Sequence, residues 1–400
     1  MIDSLFGKEE AVIRTGNEFL LARHDENTLV EAHTQLLNDY KKLFTQFTRL
    51  VRMIDRQQSE LSKKSKELDI RNHFIKKAFG RYMTDEVVEQ LLDSPNGLKM
   101  GGESVMVTIV MSDLRGFSAI SEKLPPEAVV NMLNNYLLCM TDVIYKYSGI
   151  INDIIGDALL VVFGAPVMRS DDADRAIACA LDMQLAMEAV NLCNRQQGLP
   201  DLEMGIGINT GKVVVGNIGS DMRAKYAVVG SNVNLAARVE SYTVGGQVLI
   251  TESTLNATTL HVNVNNNLAI PFKGVVKPVN VYDVVGVAGA YDVTLRQSDG
   301  VCSFVSVEIP LSIEILDGKC VSGEMVSGSV LSLAKKSAII FSEVELVRFA
   351  NLKVMFSDIG VEGVAYAKVV GVNVDAVNCY EVRFTFISEE VTRYLGAFLK

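Results

Sequence analysis

The sequence predicts an α+β protein in which a long helix precedes an alternating strand–helix domain, and a small β-barrel with a C-terminal helix closes the chain. Three patterns carry this expectation. A seven-residue apolar repeat runs through residues 27–75, a stretch without Gly or Pro. Strand and helix signals then alternate between 104 and 286. From about 301 apolar residues fall on alternate positions, punctuated by Gly323 and Gly328. At 400 residues the chain has room for two or three domains, since one domain takes ~100–200 residues.

Residues 1–26 form a short segment that carries no pattern. In 27–75, Tyr40, Phe47, Ile54, Leu61 and Leu68 recur every seven residues, with Leu36, Leu43 and Leu50 on a second seam that Gln57 and Lys64 interrupt. This predicts a coiled-coil helix; a long amphipathic helix packed on its own domain would read the same way. Residues 76–100 read as a helical transducer and linker. There Thr84 stands as N-cap of the latter half of a helix over 74–92, and Asp93-Ser-Pro-Asn-Gly97 forms a loop.

The domain expected over 101–288 begins with a strand at 105–112 and a helical stretch at 118–147 that Pro125-Pro126 breaks. Two short strands, 150–154 and 159–163, make a hairpin around Gly156-Asp157. Ser170 then caps a helix running to about 194. Strands at 203–209 and 212–217 bracket a turn at Thr210-Gly211, another follows at 226–229, and a helix begins near Ser231. The order β-α-β-β-α-β is that of a ferredoxin-like sheet. Over 295–400, strands at 364–370 and 380–386 and a helix at 389–399 complete a small barrel.

Composition narrows the functions available. Apolar residues make up 48% of the chain and Pro numbers 8, which suits packed cores rather than disordered linkers. A formal net charge of −10 argues against a broad nucleic-acid surface. The N-terminus lacks a basic-then-apolar signal pattern, and no apolar stretch approaches the ~20 residues of a membrane span. Six scattered cysteines (Cys139, Cys179, Cys193, Cys302, Cys320, Cys379) and four His give no zinc framework and fit reduced thiols. The expectation is a soluble, cytoplasmic protein.

The chemistry centres on Asp113 and Asp157. Asp113 ends the apolar run Val105–Met111 and opens Asp113-Leu114-Arg115-Gly116-Phe117-Ser118; Asp157 sits in Ile155-Gly156-Asp157-Ala158-Leu159. A carboxylate after a buried strand binds a hard cation through oxygen, and a Gly loop opening a helix offers N–H groups to phosphate. Two such acids can hold two ions ~3.5–4 Å apart, the spacing of in-line phosphoryl chemistry. Taken singly, each acid would also suit a helix cap. A third element, Val229–Arg238, places Asn234 and Arg238 four apart on one helix face. An amide and a guanidinium there can fix a ribose and stabilise a crowded phosphate.

Together these stretches resemble the catalytic domain of class III nucleotidyl cyclases over about residues 100–286. The likeness extends to Asn152–Pro166, Gly205–Gly219 and Phe272–Tyr282. It implies that Asp113, Asp157 and the backbone carbonyl of Leu114 carry two Mg²⁺ or Mn²⁺ ions, and that Gly116, Phe117 and Ser118 line the triphosphate. Asn234 would orient the ribose, Arg238 would stabilise the pentavalent phosphorus, and Lys273 would contact the triphosphate. In this family one domain gives the carboxylates and another the Asn/Arg pair, so a head-to-tail homodimer with two sites is implied. Adenylyl cyclases commonly read the purine with Lys, and Asp or Thr, at positions held here by Asp153 and Ala227; guanylyl cyclases use Glu and Cys. Bacterial adenylyl cyclases with an acid in this turn belong to the family, so the resemblance implies ATP, with GTP or a catalytically silent scaffold as alternatives. A diguanylate cyclase would need a Gly-Gly-acid-Glu-Phe turn, which Gly156-Asp157-Ala158-Leu159 does not supply.

The C-terminal part resembles a PilZ domain in its β pattern and its ending Tyr380–Glu390. The Arg-rich entry and the Asp/Asn-x-Ser-x-x-Gly turn that bind cyclic di-GMP are missing: Ser332, Ala334 and Ser337 stand at the turn, and Arg296 lacks a second Arg. Lys335-Lys336 reads as an exposed loop, and the barrel as a module for a regulatory protein or ligand.

Overall fold

The computed structural model describes residues 26–79, 100–220, 222–272, 277–296, 304–317, 320–357, 363–372 and 377–399, with a few positions between 11 and 18. Residues 1–82 form one compact unit and residues 83–400 another.

The first unit is dominated by helix α1 (Glu26–Phe79). Its two apolar seams are solvent-exposed along their length, Leu36, Tyr40, Leu43, Phe47, Leu50, Ile54, Leu61 and Leu68 included. Thr84 and the remainder of the expected helix over 74–92 lie beyond Phe79, outside the described residues.

In the second unit the order is β1 (Gly101–Leu114), α2 (Phe117–Lys123), α3 (Pro126–Lys146), β2 (Ile150–Ile155), β3 (Ala158–Phe163), α4 (Asp172–Gln196) and β4 (Met204–Ser220). There follow β5 (Arg223–Val229), α5 (Ser231–Ser241), β6 (Val248–Thr251), α6 (Glu252–Ala257), β7 (His261–Ile270), β8 (Val279–Ala288) and β9 (Val293–Thr294). The sheet runs β2-β3-β1-β4-β6-β8-β7, with β5 on β4 and β9 on β8. Its first four strands lie in the order β4-β1-β3-β2, the βαββαβ arrangement that the sequence predicts.

The sheet centre is buried on both faces, which is why β1 and β3 read as unbroken apolar runs rather than alternating ones. One face packs Val110, Leu159, Val161, Phe163, Ile206 and Ile208 against α3 and α4. The other packs Val107, Ile109, Leu160, Val162 and Val213 with Ala236 of α5. On α3, Met132, Tyr136, Met140 and Ile144 recur every four residues and are all buried. Each such side chain contributes about 1.5–3 kcal/mol by leaving water.

Three local expectations are corrected. Thr210-Gly211 is no turn: β4 runs unbroken through it, and Thr210 pairs with Thr108 in the β1 register. Gly is needed there because α5 lies directly on the strand. A Cβ at Gly211 would meet the Asn232 amide at 2.4 Å, and one at Gly207 the Glu240 backbone nitrogen at 2.2 Å. Ser170 does not cap α4; Asp171 holds that position, and the Asp171 and Asp172 carboxylates instead grip Arg175. Finally, α4 does have the length and apolar composition of a membrane span. It is the central core helix of this domain, with Ala176, Ile177, Leu181, Met183 and Val190 buried.

Strands β10 (Val305–Asp317), β11 (Cys320–Leu333), β12 (Ser337–Ser342), β13 (Asn351–Phe356), β14 (Val364–Val372) and β15 (Cys379–Ile387) close a six-stranded barrel in the order β10-β11-β12-β15-β14-β13. Helix α7 (Glu389–Gly396) follows, capped by the Ser388 hydroxyl accepting from Val391 N–H, and buries Val391 and Leu395 in the barrel core.

Candidate active site

The antiparallel pairing of β1 with β3 brings Asp113 beside the β2–β3 turn that carries Asp157. Gly156 makes that turn with φ +66°, in space open to a side chain. Asp113, Leu114 and Asp157 line one cavity, and the two carboxylates are near enough for the charge of Asp113 to act on Asp157. Burial first, and the Asp113 charge second, push Asp157 up to about 6. Two facing, part-buried carboxylates of this kind are the donor set that a hard divalent cation relieves.

Arg115, two residues after Asp113, is shared between that carboxylate and a second acid. It is buried, donates to the Asp113 carboxylate at 3.2 Å and carbonyl at 3.3 Å, and turns its guanidinium onto Glu240 of α5. Desolvation holds Arg115 below its ordinary value. The Asp113–Arg115–Glu240 chain was not readable from sequence, because Arg115 and Glu240 stand 125 positions apart.

Gly116, Phe117 and Ser118 line the same cavity, of about 470 Å³, with Asp113, Leu114 and Asp157. Gly116 has φ +67°, and a Cβ there would meet the Thr385 carbonyl of β15 at 2.8 Å. The far wall is thus the barrel: Asn351, Lys353, Tyr366, Lys368 and Thr385 also line this space. Lys335 and Lys336 are exposed in the loop between β11 and β12, as the sequence suggests, and Lys336 pairs there with Glu203, which precedes β4. Arg296 pairs with Glu188 at 3.5 Å.

Asn234 and Arg238 lie on α5, as their spacing predicts, but neither lines the cavity holding Asp113 and Asp157. Asn234 is exposed and Arg238 half-buried. On the edge, Asp153 of β2 and Ala227 of β5 are brought close by the Asn152 amide, which donates to the Tyr226 carbonyl at 3.3 Å. Lys225 reaches Asp153 at 2.6 Å, adding a cation that sequence reading missed. Lys273 lies outside the described residues.

Residues 102–286 match the family model of the adenylate and guanylate cyclase catalytic domain. With the sheet and the paired aspartates described above, this part of the chain belongs to the class III adenylate/guanylate cyclase family. Among curated relatives, adenylate cyclase 1 of Rhizobium meliloti (strain 1021) is 32% identical over 221 residues, 54% of this chain and 33% of the relative. Adenylate cyclase of Anabaena cylindrica is 30% identical over 237 residues, 57% of this chain and 45% of the relative. The matched region therefore spans less than half of either relative. Among solved structures, the guanylyl cyclase Cya2 is 53% identical with TM-score 0.48, covering 49% of this chain and 100% of that one. The adenylyl cyclase CyaB from P. aeruginosa is 34% identical with TM-score 0.45, covering 48% and 99%.

Proposed function

We propose that this protein is an adenylate cyclase, converting ATP to cyclic AMP and pyrophosphate at sites shared between two copies of the chain. The observation that carries the reading is that Asp113 and Asp157 line one cavity together with the Gly116–Ser118 loop. The carboxylates, with the Leu114 carbonyl, would hold two Mg²⁺ or Mn²⁺ ions. When bound, such ions ease loss of the ribose 3′-hydroxyl proton and neutralise the departing pyrophosphate. The loop cradles the triphosphate, Asn234 orients the ribose, and Arg238 offsets charge at the crowded phosphorus. Lys273 is assigned a contact to the triphosphate.

Because Asn234 and Arg238 do not line the metal cavity of their own chain, a second copy would supply them head to tail. The exposed seam of α1 suits a coiled coil that joins the two copies. Asp153 and Lys225 together offer an acceptor and a donor, matching the N6 amine and N1 of adenine, while Ala227 lends only surface. The two curated relatives carry the name adenylate cyclase. Guanylate cyclase is the second reading, since the Asp153 carboxylate could equally accept from guanine N1–H and its amine. The free thiols Cys139, Cys179, Cys193 and Cys379 accord with the cytoplasm.

Incubation with Mn²⁺ and each triphosphate separately, followed by chromatography of the products, tests activity and base choice together. Cyclic AMP from ATP is expected. Cyclic GMP alone would transfer the assignment to guanylate cyclase, and no cyclic product from either would leave a nucleotide-binding scaffold.

A further inference from the structure

The barrel grips the catalytic domain at the end of α5. Lys368 of β14 is only 2% exposed, and its ammonium donates to the Ser241 carbonyl at 2.6 Å and the Thr243 carbonyl at 2.9 Å. Carbonyls at a helix C-terminus have no partner within the helix, and a cation suits the negative end of its dipole. An ammonium this deeply buried is costly unless so satisfied. It is therefore committed to this turn, although its side chain also borders the metal cavity. Between the two carbonyls, the Tyr242 ring meets Phe349 of the barrel edge-on, with centroids 5.0 Å apart. Glu240, two residues before Tyr242, holds Arg115, which holds Asp113. The Thr243 hydroxyl ties the turn back to the Glu240 carbonyl at 2.7 Å.

One short turn, residues 240–243, thus meets a barrel lysine, a barrel aromatic ring and the buried ion-pair chain that ends on a metal carboxylate. Helix α5 is only 11 residues long, so a shift of its last turn moves Arg238 and Asn234 with it. We propose that Lys368 is a positioning residue for the cyclase reaction, clamping the 240–243 turn so that the Asn234/Arg238 face and, through Glu240–Arg115, the Asp113 carboxylate keep the geometry that turnover needs. The proposal rests on the cyclase reading above. In a head-to-tail dimer those two groups of one chain serve different sites, so a single barrel would steady both.

The test uses the full chain with Mn²⁺ and the triphosphate that the wild type turns over. Lys368→Met keeps the stem and removes the donor; Phe349→Ala loosens the same turn without touching a charge. Both should lower kcat with KM nearly unchanged, by up to about 100-fold, the cost of a misplacement near 1 Å. Both should also raise hydrogen exchange over residues 231–243. Lys368→Arg, which can still donate to both carbonyls, should recover much of the loss. Lys336→Ala, which also cuts a contact between barrel and catalytic domain, should keep the wild-type kcat. A folded Lys368→Met chain with unchanged kcat overturns the proposal, and so does a faster one, which would make the barrel a brake. If Lys368→Met fails to fold, Phe349→Ala decides alone, and an unchanged kcat sinks the idea. A wild-type chain that forms no cyclic nucleotide fails the cyclase reading before any substitution is made, and the positioning role falls with it.

Discussion

Asp157 stands at about 6 because it is part-buried and faces Asp113, and this sets two predictions at the residue scale. If the two acids hold the metal ions as proposed, Asp113→Ala or Asp157→Ala removes several kcal/mol of transition-state stabilisation; turnover should fall by about 1,000-fold or more, measured as product formed with Mn²⁺. The sign of the pH effect follows from linkage. A carboxyl raised from 3.8 to about 6 binds its proton more tightly in the folded state than in the unfolded chain. Its support of the metal-free fold is complete below the lower value and is lost as pH rises through the upper one. Mn²⁺ replaces that proton, so its stabilisation should be large above about pH 6 and fade toward pH 5. Thermal unfolding with and without Mn²⁺ across that range checks this. Arg238→Ala should cost about 100–1,000-fold in kcat if the guanidinium meets charge that develops only in the transition state.

Among the secondary elements, β4 and α5 form the critical pair. The helix lies so close that Gly207 cannot accept a Cβ without displacing the Glu240 backbone. Gly207→Ala should therefore cost about 1–3 kcal/mol by overpacking and lower kcat as well, because it pushes the helix that carries Asn234 and Arg238. A lower melting temperature with undiminished kcat would show that α5 tolerates the shift. The unbroken course of β4 belongs to this scale too. Thr210-Gly211 reads as a turn because Gly usually punctuates strands; here the glycine clears room for Asn232 instead.

For the whole molecule, the separation of Asp113 and Asp157 from Asn234 and Arg238 leads to complementation. Mixing an inactive Asp113→Ala chain with an inactive Arg238→Ala chain should restore one intact site per heterodimer, seen as activity absent from either preparation alone. Continued inactivity of the mixture, with mixed dimers verified, would contradict the shared site. Helix α1 supplies a matching test. Phe47→Glu, on its exposed apolar seam, should weaken self-association in sedimentation and make specific activity depend on protein concentration.

What the sequence determined by itself is local or periodic: the heptads of α1, the βαββαβ order, the two aspartates after apolar strands, and the Asn234/Arg238 face. Each is written within a few turns or strands, where backbone periodicity alone fixes which side chains share a face. Tertiary structure alone decided which distant charges meet. Arg115 finds Glu240 across 125 positions, Lys368 finds the Ser241 carbonyl across 127, and Lys336 finds Glu203 across 133. Such pairings leave no trace in spacing, because a buried charge needs a partner in space, and only the packing of barrel, helix and sheet determines which residue that partner is.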